Sequence, residues 1–166
     1  MRLCFERNET RETLPKIYVD ADACPVKQEV YKVARRYRLE VILVSNSRMR
    51  VTEPDIARLI VVDGELDAAD DWIVEQLVAG DVVITADIPL ASRCVKRDAR
   101  VLAPTGFEWS DDNVGQALAT RDLLTGLRDA GAVLGGPPPF QQRDRSRFLH
   151  SLDQIIQALA REQANP

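Results

Sequence analysis

The stretch KIYVDADACPV at residues 16–26 decides the fold, because it joins a short apolar run to acidic residues and then to a proline. IYVD (17–20) is rich in β-branched and aromatic residues, which predicts a buried strand that ends at Asp20. Pro25 suits the first turn of a helix. Apolar side chains then recur at helical spacing as far as Tyr37, so the pattern predicts a strand followed directly by a helix.

The same alternation continues outward along the chain. Further strands are predicted at 41–45, 59–63, 81–87 and 99–104, and helices at 66–79, where Gly80 ends the helix, and from Pro89 to about residue 97. Strands rich in β-branched residues that alternate with helices are typical of a mostly parallel sheet. The sequence therefore predicts an α/β fold of three layers, a mostly parallel sheet with helices on both faces.

The last third of the chain changes character. Helical patterns occupy 110–130 and 141–160, and the proline-rich GGPPPF (135–140) separates them. We expect these C-terminal helices to pack on the sheet. The alternative is that they form the interface of a homodimer. We predict one domain over 16–162, preceded by a flexible N-terminal extension at 1–15.

The composition narrows the class of function. The chain has 166 residues, 45% of them hydrophobic and 29% charged, as in an ordinary globular domain. Its net charge of −4 and its 5% aromatic content provide no overall basic field and few stacking surfaces for bases. This disfavours a pure nucleic-acid-binding module. It is compatible with a nuclease, in which local basic patches adjoin an acidic metal site.

The cysteines and the N-terminal sequence indicate the cellular compartment of the protein. Three scattered cysteines form no CxxC pair and no zinc pattern, and an odd count fits a reducing environment. The N-terminus lacks the apolar core of a signal peptide, and no apolar run approaches the ~20 residues that cross a bilayer. We therefore expect a cytoplasmic protein with no membrane association.

Acidic residues gather where a parallel sheet places its sites, outside the carboxyl ends of the strands. Those at predicted strand ends or in the following turn or helix are Asp20, Asp22, Asp63, Asp67, Asp70, Asp71 and Asp87. Asp is disfavoured in buried strands, so we expect a functional site at Asp20, Asp22 and Asp87. Asp67 and Asp71 suit a helix cap or dipole role equally well, and Asp63 is better explained as a turn residue before a glycine.

Clustered carboxylates repel one another, and a hard cation would remove that cost. Ligand sets made only of oxygen favour Mg²⁺ or Mn²⁺, which can polarise a phosphoryl oxygen and activate water. The single histidine, His150, lies in the last predicted helix, so a general base here would be a carboxylate or a metal-bound hydroxide. Thr85 projects to the same side of its strand as Asp87 and could position a water molecule.

Two further features lie beside the predicted site. The polar loop after the second strand carries Asn46, Arg48 and Arg50, which could bind a substrate phosphate or form an ordinary solvated loop. Cys24 could be an activated thiol, but a small buried filler residue is the favoured interpretation.

The motifs VDADACP (19–25), DAAD (67–70) and VVITADIPLA (82–91), with GGP and QRDR near the C-terminus, resemble the YaiI/YqxD family of uncharacterised bacterial proteins. That family is similar to PIN-like domains, compact parallel α/β folds with an acidic pocket for Mg²⁺ or Mn²⁺, many of which are ribonucleases. The resemblance implies metal ligands at Asp20, at Asp87 and at Asp70 or Asp71, with Asp67 as a further alternative. A further acid would be Asp111 or Asp112, although SDDN (110–113) also suits a helix N-cap.

The first hypothesis is therefore a metal-dependent phosphodiesterase, with RNA as the favoured substrate. Its catalytic residues would be Asp20, Asp22, Asp70, Thr85 and Asp87, with Asp20, Asp70, Asp71 and Asp87 as ligands of Mg²⁺ or Mn²⁺. A non-catalytic PIN-like module that binds RNA or a protein partner is the alternative. A small-molecule phosphohydrolase built on the same carboxylates is a third possibility.

Overall fold

A computed structural model of the protein describes residues 14–136 and 138–165. The strands are β1 (Ile17–Asp20), β2 (Val41–Ser45), β3 (Ala57–Val61), β4 (Val82–Ile84), β5 (Arg100–Leu102) and β6 (Glu108–Trp109). The helices are α1 (Lys27–Tyr37), α2 (Ala68–Gln76), α3 (Ile88–Val95), α4 (Asp111–Asp129) and α5 (Gln142–Ala164). Residues 1–13, most of the predicted flexible extension, lie outside the described part.

The six strands form one sheet in the order β3-β2-β1-β4-β5-β6. The four pairings among β1 to β5 are parallel, and only the short β6 runs antiparallel, to β5. The predicted α/β class with a mostly parallel sheet is confirmed. The antiparallel β6 was not predicted, because its two residues are too few to carry a periodic pattern.

Successive side chains of the central strand β1 enter the two hydrophobic cores that lie on opposite faces of the sheet. Ile17 and Val19 join the core beneath α1 and α5, whereas Tyr18 joins the core beneath α2 and α3. Each face is thus covered by helices, which gives the predicted three layers. None of the described helices is long and apolar enough to cross a membrane.

The two C-terminal helices pack differently. α5 inserts Phe148 and Leu152, both fully buried, into the core that it shares with α1. Its Arg145 donates to the carboxylate of the buried Glu29 at 3.2 Å and to the carbonyl of Pro25 at 2.7 Å. α4 packs chiefly on α3 and buries only Val114. α5 is therefore part of the domain core, while α4 leaves most of its surface exposed.

The loop after β5 passes very close to α5 at Gly106. A Cβ added there would lie 2.7 Å from the Cγ of Arg147 and 2.8 Å from that residue's backbone carbon. The φ of Gly106 is +87°, which side chains rarely adopt. Ser151 of α5 also donates to the Gly106 carbonyl at 2.9 Å. Both the close approach and the conformation require glycine here.

Several predicted boundaries are wrong by a few residues. The helix predicted over 66–79 ends at Gln76, and Gly80 lies in a later turn with φ +88°. Asp81 fixes that turn, since its carboxylate accepts from the backbone N–H groups of Lys16 and Val78, each at 3.0 Å. The strand predicted over 81–87 stops at residue 84, because the chain then turns into α3.

Candidate functional site

The crevice at the carboxyl ends of β1 and β4 is where this topology places a site. After β1 the chain enters α1 on one face of the sheet, and after β4 it enters α3 on the other. Two neighbouring parallel strands whose connections diverge in this way leave a crevice between them. Asp20 is the last residue of β1, and Thr85 and Asp87 follow β4, so all three lie at this switch point.

Thr85 connects the two strand ends. Its Oγ1 donates to Oδ2 of Asp20 at 3.0 Å and accepts from the backbone N–H of Asp87 at 3.0 Å. The residue is buried, so both bonds are shielded from solvent. Because the single hydroxyl proton is used on Asp20, Thr85 orients a carboxylate in this structure instead of donating to a water molecule.

Asp87 begins α3 as its N-cap. Its Oδ1 accepts from the backbone N–H of Leu90 at 2.9 Å, and a proline follows in the first turn of the helix. Among the described residues no donor engages its second carboxylate oxygen. Asp87 therefore caps α3 with one carboxylate oxygen, and its other oxygen accepts no hydrogen bond among the described residues.

Asp70, in the first turn of α2, is the most perturbed carboxyl of the group. The pKa of Asp70 is raised to about 6, chiefly by burial and then by the charges of Asp87, Asp20 and Asp67, while Arg93 lowers it. No hydrogen-bond donor reaches its carboxylate within residues 14–136 and 138–165. This side chain is held near like charges without a partner that compensates for them.

Asp20 has the same kind of environment, with partial compensation. Burial raises the pKa of Asp20, the Thr85 hydrogen bond lowers it, and the charges of Asp87 and Asp22 raise it. Asp20, Asp70 and Asp87 are thus brought close enough to repel one another. This is the carboxylate cluster that the strand-end positions predicted.

Asp71 lies in a different environment from Asp70. Its Oδ1 pairs with Nη2 of Arg93 at 2.8 Å, and more than half of its side chain is exposed. Of Asp67, Asp70 and Asp71, which the sequence left open, Asp70 is the residue whose pKa the charges of the other cluster carboxylates raise. Arg93 was not predicted from the sequence, because an arginine inside a short amphipathic helix does not indicate which side chains it will contact in the fold.

Asp22 joins the loop after β1 to the end of β2. It accepts from the hydroxyl of Ser45, from the backbone N–H of Asn46 at 3.1 Å and from the side-chain amide of Asn46 at 3.4 Å. These bonds occupy Asn46, which was predicted to bind substrate. Ser45 is fully buried and is the last residue of β2, so it belongs to the strand as well as to the polar loop.

The two arginines predicted to bind substrate are both exposed. Arg48 lines a hollow of ≈ 730 Å³ at the end of β2 and β3, together with Ser47 and Asp63. Arg50 does not line this hollow. The structure therefore places one arginine, Arg48, in a concave surface on the side of the sheet where the carboxylates lie.

The fit of a metal ion can be tested on the donor set. Among the described residues, no three or more His, Cys, Asp or Glu side chains converge closely enough to hold one. The chemistry of Asp20, Asp70 and Asp87 nevertheless suits a hard cation, since all the donors are oxygen. Cys24 offers no softer ligand, because burial raises the pKa of its thiol. The donor atoms are therefore of the kind that Mg²⁺ or Mn²⁺ prefers, while their arrangement in this structure is more open than that around a bound ion.

The fold and the cluster together define an open α/β domain with acidic residues at its switch point. A family described as "Uncharacterized BCR, YaiI/YqxD family" matches residues 18–158, which is most of the chain. The chain belongs to this family, as its motifs indicated.

Bacterial relatives agree with this assignment. A UPF0178 protein of Rhodopseudomonas palustris (strain TIE-1) is 51% identical over 155 residues, 93% of this chain and 98% of the relative. A UPF0178 protein of Azorhizobium caulinodans is 53% identical over 145 residues, 87% of this chain and 91% of the relative. No solved structure matches the chain. The relatives' names state no activity.

Proposed function

We propose that this protein is a divalent-metal-dependent phosphodiesterase that acts on nucleic acid, with RNA as the favoured substrate. The observation that carries the proposal is the carboxyl of Asp70, whose pKa is raised to about 6 beside Asp20 and Asp87, with no donor to it among the described residues. Maintaining such repulsion costs stability unless a cation relieves it. The preference for RNA rests on the resemblance to PIN-like domains, which is an argument from fold.

In this proposal Asp20, Asp70 and Asp87 hold the cation. Mg²⁺ or Mn²⁺ bound there would polarise a phosphoryl oxygen and activate water for hydrolysis. Thr85 keeps the carboxylate of Asp20 in place through its 3.0 Å hydrogen bond. Asp87 is already fixed as a helix cap, so it can offer its second oxygen without losing that bond.

The raised pKa of Asp70 determines how many protons the protein releases when it binds the cation. A ligand must be deprotonated, so cation binding near pH 6 should release about half a proton from Asp70, and near pH 8 almost none. Calorimetry at pH 6 in two buffers of different ionisation enthalpy measures this release. Equal heats in both buffers would show that Asp70 does not give up a proton to the cation.

Arg93 is placed to assist at the rim of the cluster. Its guanidinium pairs with Asp71 at 2.8 Å and acts on the charge of Asp70. An arginine at that position can pair with a substrate phosphate, which the carboxylates would otherwise repel. Asp71 would then position Arg93, and the predicted ligand role falls to Asp70.

The direct test is cleavage of a single-stranded oligoribonucleotide in Mn²⁺ by the full-length protein. The variants Asp20→Asn and Asp87→Asn should abolish cleavage, and asparagine at 87 keeps the helix cap. Asp98→Asn, at an exposed position in the turn before β5, is the matched control and should cleave normally. Hydrolysis of a generic phosphate monoester without RNA cleavage would favour the small-molecule phosphohydrolase. Cleavage that survives both site variants would refute the assignment.

A second candidate function has one observation in its favour. The C-terminal half of α4 exposes Leu123 at 63% and Leu127 at 41%, one turn apart on the same side of the helix. Such a stripe suits a protein partner or a second copy of the chain. Sedimentation of the wild type and of Leu123→Glu would detect self-association. A monomer in both cases would remove the support for a homodimer through this helix.

A further inference from the structure

A cleft opens beside the carboxylate cluster, between α4, β6 and the start of α3. Its volume is ≈ 760 Å³, within the usual range for ligand sites, and its lining includes Ile88, Phe107, Trp109, Arg121, Leu124 and Arg128. Ile88 follows Asp87 directly in the sequence, so one residue of the lining is the neighbour of a carboxylate of the cluster. We refer to it as the α4 cleft.

Two aromatic side chains form one wall of the α4 cleft. The rings of Phe107 and Trp109 lie edge to face, with centroids 4.8 Å apart and an interplanar angle of 69°. Phe107 is 49% exposed, so an apolar ring surface remains available for stacking. The Nε1 of Trp109 is buried and has no acceptor among the described residues. The wall therefore offers an apolar ring surface on which a base can stack.

Two arginines lie on the side of α4 that faces the cleft. Arg121 and Arg128 are seven residues apart, so they share one side of the helix at a spacing of about 10.5 Å along its axis. Arg121 has only a 3.7 Å contact with the exposed neighbouring Asp122, which contributes little. In the part of the chain that the structure describes, no carboxylate pairs with Arg128. Both guanidinium groups are therefore available to an anion.

We propose that the α4 cleft binds an unpaired stretch of nucleic acid, with a base against Phe107 and Trp109 and phosphates on Arg121 and Arg128. Aromatic rings bind bases through their faces, and guanidinium groups match phosphate oxygens. Bases within a duplex are already stacked, so the cleft selects single strands. The cleavage of the bound strand rests on the proposed function, since only the carboxylates near Asp87, the neighbour of Ile88, would carry it out. Binding itself requires no cation.

The test uses the full-length Trp72→Phe variant, which leaves Trp109 as the single tryptophan. A five-nucleotide oligoadenylate is titrated in EDTA while the fluorescence of Trp109 is recorded. We expect saturable quenching, with a slope of log affinity against log salt of about −1.4 if two phosphates are neutralised. Arg121→Ala and Arg128→Ala should each weaken binding several-fold and reduce that slope by about 0.7. Arg143→Ala, exposed at the start of α5, is the matched control and should leave both unchanged.

The outcomes separate this inference from the proposed function. Absence of quenching, equal binding of a duplex, or equal effects of the Arg121 and Arg143 variants would overturn it. A dimer that dissociates on Arg121→Ala and binds no oligoadenylate would also overturn it, because a second copy would then fill the cleft. Binding that persists in Asp87→Asn supports the cleft whether or not the protein cleaves RNA. The same titration with oligodeoxyadenylate shows whether the ribose contributes.

Discussion

Neutralising Asp70 should stabilise the protein when no metal is present. The pKa of Asp70 lies at about 6 in the fold against 3.8 unperturbed, and the difference corresponds to at most about 3 kcal/mol. Asp70 is only partly buried, so solvent screening reduces the expected gain to about 1 kcal/mol. For a chain of 166 residues this corresponds to a rise of roughly 2–4 °C in Tm for Asp70→Asn at pH 7.5.

The pH dependence gives this prediction its sign. Well below pH 3.8 the carboxyl is protonated in both the folded and the unfolded state, so it contributes no difference in stability. As pH rises from 3.8 to 6 the unfolded state ionises first, so the wild type loses stability across this window. The advantage of Asp70→Asn should therefore be absent near pH 3.5 and complete above pH 6.

Urea unfolding in EDTA, followed by circular dichroism at several pH values, measures the difference between variant and wild type. Asp71→Asn is the matched control, one residue away, and should be neutral or slightly destabilising because it breaks the 2.8 Å pair with Arg93. A variant no more stable than wild type at pH 7.5, or a gain that persists at pH 3.5, would refute the reasoning. Adding Mn²⁺ should reverse the order, because only the wild type gains binding free energy.

Three further substitutions test contacts that position the site. Thr85→Val should raise the pKa of Asp20, which carbon-detected NMR titration measures, and should lower the free energy of unfolding by about 1 kcal/mol. An unchanged pKa would contradict the hydrogen bond. Gly106→Ala should lower the free energy of unfolding by more than 1 kcal/mol, since its Cβ would meet Arg147; unchanged urea unfolding would refute this close approach. Arg145→Met leaves the buried Glu29 unpaired and should lower the free energy of unfolding by about 2 kcal/mol, whereas the control Arg143→Met should leave it unchanged. An equal decrease in both variants would argue against the Arg145–Glu29 pair.

The outline of the fold follows from local patterns in the sequence. The apolar run that ends at Asp20 and the spacing from Pro25 to Tyr37 predicted β1 and α1 within two residues. The sequence could not give the length of β4 or the end of α2. Both are set by contacts distant in sequence, such as the bond from Lys16 to Asp81, which leave no periodic trace.

The site was predictable in position but only partly in detail. Strand ends placed Asp20 and Asp87 together because parallel strands share a carboxyl edge. The choice between Asp70 and Asp71 depends on the rotation of α2 and on Arg93, which α3 contributes. The bonds that occupy Asn46 arise between two loops, so the sequence could assign that residue only to a generic polar surface.

The most direct test of the central claim is a calorimetric titration of Mn²⁺ into the wild type and into Asp87→Asn. Asparagine preserves the cap on α3, so the substitution removes one carboxylate charge and little else. We predict that the wild type binds Mn²⁺, that Asp87→Asn does not, and that Asp98→Asn, exposed in the turn before β5, binds as the wild type does. Equal affinity in the wild type and Asp87→Asn, or no binding by the wild type, would contradict a metal site at the carboxyl ends of the strands.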